Sequence, residues 1–215
     1  MRTMTVLIPT RNRLEKLQRT LASIEPEEWL DTLVICDGDP KTFDALNGLR
    51  TDVRAILKPF RVGAVACRNS AMWHIEDGLL YATDDIVFFN GGVAEAYRQY
   101  NEHFPDDDGV LGLRQDKSHH PTGVAVVGRA FLNRYPDRQL FNPAYDHFAC
   151  QEILWLAESL GKFKQSDRVL VEHFHPAFLK TEIDQTHHDA RANKTADMEL
   201  IENRKALHLV WGASQ

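Results

Sequence analysis

The chain has 215 residues, enough for one generous domain, and its 43% hydrophobic and 26% charged residues are ordinary for a globular protein. A formal net charge of −6 gives the surface as a whole no electrostatic footprint for nucleic acid or an anionic membrane. Three cysteines without CxxC spacing suggest neither a disulfide framework nor a structural zinc site. No run is apolar enough to span a bilayer, and Met1-Arg2-Thr3 leads into a strand rather than a signal peptide, so a cytoplasmic protein is expected.

In chain order, Thr5-Val6-Leu7-Ile8 reads as a buried strand stopped by Pro9. Leu14, Leu17, Leu21 and Ile24 then recur at helical spacing, with Asn12 and Glu15 placed like a capping box and Pro26 closing the helix. Thr32 to Cys36 is a second strand running into Asp37-Gly38-Asp39-Pro40. After a helix or loop, Ala55-Ile56-Leu57 makes a third strand, and Gly63 opens a helix bearing Arg68 and Asn69. Strand alternating with helix predicts an α/β fold, a mostly parallel sheet with helices on both faces. Ligands in such sheets sit beyond the carboxyl ends of the strands. Thr10-Arg11, Asp37 to Asp39 and Asp84-Asp85 all fall at such ends.

The second half is less regular. Val93 to His103 reads as a helix, Val110 to Leu113 and Val124 to Val127 as strands around the loop Ser118-His119-His120-Pro121, and Gly128 to Arg134 as a short helix. Cys150 to Leu160 is a firmer helix with Gly161 at its end. Val169 to Val171 leads into Glu172-His173-Phe174-His175-Pro176. The tail from Ile183 to His208 is polar and helical in pattern, with Leu200, Ile201 and Leu207 to pack, and Trp73 and Trp155 read as core.

The stretch LLYATDDIVFFNGG, residues 79–92, carries the sharpest chemical signal. Two adjacent carboxylates inside an apolar run are costly unless compensated, and a hard divalent cation is the simplest compensation. The bland alternative is a surface turn, against which the flanking apolar segments argue.

Taken together, TVLIPTRNR, CDGD at 36–39, GAVACRNSA at 63–71 and ATDD at 82–85 resemble the family 2 glycosyltransferases of the GT-A fold, a match spanning residues 4 to 176 in order. The resemblance implies a GT-A-type, Rossmann-like mixed sheet and an inverting sugar transfer from a nucleotide-sugar, a UDP-sugar ahead of a GDP-sugar, assisted by Mn²⁺ or Mg²⁺. The enzyme would be hexosyltransferase-like. Residues 1–180 would form the domain, with a nucleotide-binding half over 1–92 and an acceptor half over 93–180, and residues 181–215 a helical tail packed on it. Thr83 stands where the family's metal motif has its first acid, and Cys150-Gln151-Glu152 stands where it has an acidic pair containing the base.

The expected site follows. Asp85 is a metal ligand, with His173 or His175 as a second and His187-His188-Asp189 as a weaker source from the tail. Thr10, Arg11, Asp37, Asp39, Arg68 and Asp84 hold the nucleotide-sugar. Glu152 is the first choice as the base that deprotonates the acceptor hydroxyl and Asp146 the second. Each has a structural alternative: a backbone-bonded histidine, an ion-paired arginine, a glutamate set against a helix dipole. The acceptor class stays open: a glycan or small molecule is favoured, and the basic residues Arg129, Arg134, Arg138, Lys162, Lys164 and Arg168 keep modified nucleic acid in view. Two rival functions are a degenerate fold that binds a nucleotide-sugar without turnover, and a sugar nucleotidyltransferase. The latter normally has a Gly-rich loop, which Pro9 to Arg13 is not.

Overall fold

Short apolar runs of period two are satisfied by a sheet covered on both faces. The structure, a computed structural model, describes residues 1–47, 52–117 and 120–213. Strands β1 (Met4–Thr10), β2 (Leu30–Asp37), β3 (Val53–Lys58) and β4 (Gly78–Tyr81) run parallel in the order β3-β2-β1-β4. Helices α1 (Leu14–Ala22), α2 (Pro40–Leu46) and α3 (Ala64–Ala71) connect them. The second half extends the same sheet with β5 (Ile86–Phe88), β6 (Val110–Gln115), β7 (Ala125–Val127) and β8 (Phe163–His173). Among the described residues the full order is β3-β2-β1-β4-β7-β6-β8-β5. β7 is antiparallel to β4 and β6, β8 is parallel to β6, and β5 is antiparallel on β8. Helices α4 (Gly92–His103), α5 (Arg129–Leu132), α6 (Cys150–Ser159) and α7 (Gln185–Ala206) complete the chain.

The strand alternation sorts the core into two layers. Val6, Ile8, Val34 and Cys36 pack with Leu17 and Leu21 of α1 and with Ala96 and Tyr100 of α4. Leu7, Leu33 and Ile35 face the other way, against Val65 of α3, Ile153 and Leu156 of α6 and Ile201 of α7. Each such aliphatic side chain contributes about 1.5–3 kcal/mol by leaving water. Helices on both faces of a mixed, mostly parallel sheet are the expected α/β class.

Several expectations change for identifiable reasons. Pro9 does not stop β1, which runs on to Thr10 in register with Cys36. The Leu7 carbonyl accepts from Ala82 N–H on the β4 side. Pro9, two residues on, turns its missing N–H to that same side, where β4 has ended. Residues 79–92 are not one strand: β4 ends at Tyr81, and the chain crosses the sheet before β5 pairs with β8. Asn12 and Glu15 form no capping box. Asn12 takes a positive φ of 55° and Arg13 is the N-cap, with no side-chain cap bond. Leu207 and Trp73 are both 68% exposed rather than packed. Residues 118 and 119 of the His-rich loop lie outside the described residues.

Helix α7 is tied down by a buried carboxylate on α6. Glu152, only 1% exposed, accepts from Arg204 Nε and Nη2 at 2.5 and 2.9 Å, Tyr145 Oη at 2.7 Å, Asn142 Nδ2 at 3.1 Å and Trp211 N–H at 2.6 Å. Burial alone would raise this carboxyl, but the bonds from Arg204, Tyr145 and Trp211 hold it below the usual glutamate range. A depressed folded-state value adds stability above the unfolded value and loses it as pH falls through the folded one. Glu152→Gln is therefore expected to cost roughly 2 kcal/mol at pH 7. In urea unfolding from pH 7 to 3, the gap to the parent chain should narrow at the acid end; a gap that is constant with pH would refute the ionised pair.

Candidate active site

The strand order places a topological switch point between β1 and β4, because the chain leaves β1 toward β2 and returns beyond it to β4. Ligand clefts in open α/β sheets form at the carboxyl end of that gap. Here a cleft of about 780 Å³, open to solvent, is lined from β1 by Thr10, Arg11 and Arg13, from β2 by Asp37, and from the turn after β4 by Thr83, Asp84 and Asp85. Arg61, Gly63 and Arg68 line it from the β3–α3 region, Asp146 and His147 from the segment before α6, and Thr186, Asp189, Ala190 and Asn193 from α7.

Asp84 and Asp85 are each only 4% exposed. Thr10 Oγ1 donates to Asp84 Oδ2 at 2.7 Å, and Arg13 Nη1 lies 2.9 Å from Asp84 Oδ1 and 3.5 Å from Asp85 Oδ2. Thr83 Oγ1 donates to Asp85 Oδ1 at 2.8 Å, and His173 Nε2 lies 3.2 Å from the same oxygen. The two neighbours titrate in opposite directions. Burial, only partly offset by Arg13, pushes Asp84 up. For Asp85 burial is outweighed by His173 and then Arg13, and the group is held well below the usual range.

Arg13 is the cation the sequence reading missed. Besides the two acids it grips Asp184, the N-cap of α7, through Nε at 2.8 Å and Nη2 at 2.6 Å, and Lys16 reaches the same carboxylate at 2.7 Å. A second α7 carboxylate, Asp189, pairs with Arg11 at 2.9 Å and Arg61 at 3.1 Å. Arg61 reaches the cleft because Gly38, at φ 65°, lets the β2 exit pass the 60–61 backbone. A Cβ there would sit 2.7 Å from Arg61 N. In sequence the α7 contribution is hinted at by His187-His188-Asp189 and by the polar side chains Thr186, Asp189 and Asn193, which share one helical face.

The remaining expected site residues separate. Thr10, Arg11, Asp37, Arg68, Asp84, Asp85 and Asp146 all line the cleft. Both Asp37 oxygens accept backbone N–H groups, from Val62 at 2.6 Å and Gly63 at 3.0 Å, so Asp37 also shapes the wall. Asp39 is a correction: it caps α2 through Thr42 N–H at 3.1 Å and holds Asn12 N–H at 2.6 Å, which makes it a brace between two loops rather than a ligand group. Glu152 is the second correction. It lies off the cleft with its oxygens consumed as described above, a poor setting for a proton acceptor. Arg68 is buried and donates once, Nη2 to the Ala82 carbonyl at 3.3 Å, while its Nε has no partner. Burial lowers its affinity for a proton, as for a guanidinium short of counter-charge. His147, missed by the sequence reading, is pushed down to about 4 by burial and then by the Arg68 charge, and so is neutral at pH 7. Of the basic residues of the second half, Arg134 pairs with Asp108, Lys162 with Asp106 at 3.2 Å and Arg168 with Glu95 at 3.4 Å, whereas Arg129 and Arg138 donate to the backbone carbonyls of Ile75 and Glu76.

Among the described residues no group of three or more His, Cys, Asp or Glu side chains is arranged to hold a metal by itself. What exists is a pair. Asp85 Oδ1 and His173 Nε2 are 3.2 Å apart, close to the roughly 3 Å edge between adjacent octahedral ligands at about 2.1 Å from an ion. Gln115 Oε1 sits 2.9 Å from His173 Nδ1, the outer-shell partner that fixes a ligating imidazole. His175 uses Nδ1 to accept Ala177 N–H and packs edge-on against His173 and His187. The spacing of Asp85 and His173 is compatible with two neighbouring ligands of one divalent cation.

No protein-family model and no curated protein matches the chain in sequence. Solved structures match in fold. Residues 1–349 of S. aureus TarS align over 80% of this chain and 60% of that one, with TM-score 0.62 and 15% identity. The mannosyltransferase PcManGT of Pyrobaculum calidifontis, solved with GDP-Man and Mn²⁺, aligns over 79% of this chain and 56% of that one, with TM-score 0.63 and 16% identity. The chain thus spans little more than half the length of these proteins, and the shared property is the fold. Among the described residues no helix is long and apolar enough to cross a membrane.

Arg13 gives the site its first test. Arg13→Met should leave the buried Asp84-Asp85 pair and Asp184 without their cation and cost about 3–5 kcal/mol in urea unfolding. A loss under 1 kcal/mol would mean that the aspartates do not depend on it.

Proposed function

We propose that the chain is a glycosyltransferase moving a sugar from a nucleoside-diphosphate sugar, a UDP- or GDP-sugar, to a hydroxyl acceptor with inversion. The observation that carries the reading is the buried Asp84-Asp85 pair at the β1/β4 switch point, sharing its cleft with the under-partnered guanidinium of Arg68. Buried carboxylates beside a buried cation that lacks an anion suit a ligand that is itself a phosphate–metal assembly.

Asp85 and His173 would hold Mn²⁺ or Mg²⁺, with His175 and His187 alongside, and the ion would offset charge growing on the leaving diphosphate. Charge balance supports its need. The cleft is lined by four arginines (11, 13, 61, 68) and five aspartates (37, 84, 85, 146, 189), so a diphosphate enters a region already lacking positive charge. In the reaction the acceptor oxygen bonds to the anomeric carbon as the bond from that carbon to the phosphate oxygen breaks. Arg68 and the mouth arginines Arg11 and Arg61 take phosphate charge. Asp146, exposed in the cleft, takes the proton from the acceptor hydroxyl in place of Glu152. Ion pairing of Arg134, Lys162 and Arg168, and the net charge of −6, favour a glycan or small-molecule acceptor over nucleic acid. A binding module without turnover is the second reading, favoured by Thr83 and by the sequestered Glu152.

Calorimetry with UDP and GDP should give affinity tighter by roughly tenfold or more with Mn²⁺ than with EDTA. Asp85→Ala should abolish that difference and Thr83→Ala, which loses only a hydrogen bond to Asp85, should be much milder. Equal affinity in chelator would remove the metal from the proposal.

Donor hydrolysis, in which water is the acceptor, separates the two readings. Asp146→Asn should slow it by roughly 10²-fold or more with donor affinity kept. Donor binding with no hydrolysis by the parent chain would select the binding module.

A further inference from the structure

The segment that carries Asp146 has no helix or strand between the turn at Pro136–Arg138 and α6. Such a segment would hold a catalytic side chain loosely unless something outside it fixed the backbone. Three consecutive N–H groups converge on one side chain of α7. Asp146 N–H donates to Asp197 Oδ1 at 3.1 Å, and His147 and Phe148 N–H donate to Asp197 Oδ2 at 2.8 and 2.9 Å. Asp197 is 3% exposed, so these bonds are made away from water and are correspondingly strict in geometry.

The carboxylate is the group that this arrangement requires. One oxygen pair accepts all three N–H groups, which no neutral side chain of similar size can match. Asp197 lies one turn before Ile201, which is buried in the core, so the height of the carboxylate is set by helix packing rather than by the loop. Fixing three successive peptide planes fixes the direction of the Asp146 Cα–Cβ bond, and with it the side of the segment from which the residue lines the cleft with Asp84 and Asp85.

We propose that Asp197 is a positioning residue that presents Asp146 to the acceptor side of the cleft. The inference rests on the transferase reading above and on Asp146 as its base. A base displaced by about 1 Å loses on the order of 10²-fold in rate, which sets the scale of the expected effect.

The experiment is a double-mutant cycle on the full chain, read as Mn²⁺-dependent hydrolysis of UDP-glucose and GDP-mannose. Donor affinity by calorimetry and melting temperature are measured on every variant. Asp197→Ala is expected to lower the hydrolysis rate by about ten- to a hundredfold with donor affinity unchanged. Asp197→Asn, which keeps one acceptor oxygen and guards against a variant that fails to fold, should fall between it and the parent. In an Asp146→Asn background, Asp197→Ala should add nothing, because the group it positions has lost its function. If Asp197→Ala slows hydrolysis equally in both backgrounds, or weakens donor binding in proportion, Asp197 is only a structural tie and the inference fails alone. If Asp146→Asn hydrolyses donor at the parent rate, or the parent shows no hydrolysis, the transferase reading with this base fails and takes the inference with it.

Discussion

Two carboxylates side by side in a nearly water-free turn repel each other, by about 4 kcal/mol at 4 Å in an effective dielectric of 20. Each also bears the cost of its own burial. Asp84 and Asp85 exist in this position only because cations and donors surround them: Arg13 and Thr10 on one side, His173 and Thr83 on the other. Arg13 in turn has more donors than the pair can use, and Asp184 takes the rest. The loop after β1, the turn after β4 and the start of α7 are therefore one electrostatic unit. The closure of the tail over the cleft follows from this unit as much as from any apolar contact. Among the described residues, the apolar anchorage of α7 lies in its second half, where Ile201 is buried in the core and Met198 and Leu200 pack against it.

What could be read from the residues depended on which force organised them. The sheet was legible, because alternation in Val6, Leu7 and Ile8 or Leu33, Val34 and Ile35 records two apolar faces directly. The cleft-lining residues Thr10, Arg11, Asp37 and Asp85 were legible because each follows a strand, and Arg68 because it lies in the helix that Gly63 opens. Pro9 misled because the rule against proline in a central strand assumes a hydrogen-bonding neighbour on both sides, and β4 ends opposite Leu7, two residues short of it. The split of residues 79–92 into two distant strands was hidden because both halves are equally apolar. Nothing local says that Ile86 pairs with His173 rather than continuing beside β1.

Charge networks were the least visible layer. Arg13 is one of several arginines in a short stretch, and its importance lies in partners 71 and 171 residues away. The α7 face that meets the domain is polar for most of its length, with Asp189 on arginines, Asp197 on backbone N–H groups and Arg204 on Glu152. A hydrophobic periodicity has nothing to register there, so the tail looks like a solvated helix until the structure supplies its partners.

The three acids around α6 show why position in sequence is a weak guide to chemical role. Glu152 stands in the first turn of α6, where a resemblance places a base, yet five donors from Asn142, Tyr145, Arg204 and Trp211 consume its oxygens. A proton acceptor needs a free lone pair facing the reacting group, and every bond to the ionised form lowers its basicity. Asp197 is consumed in the same way, by main-chain N–H groups. Asp146 differs from both in that its backbone, not its carboxylate, is what the fold holds. Asp146 lines the cleft with a carboxylate whose own atoms brace nothing among the described residues, and the backbone beneath it is held by Asp197, whose oxygens are already engaged.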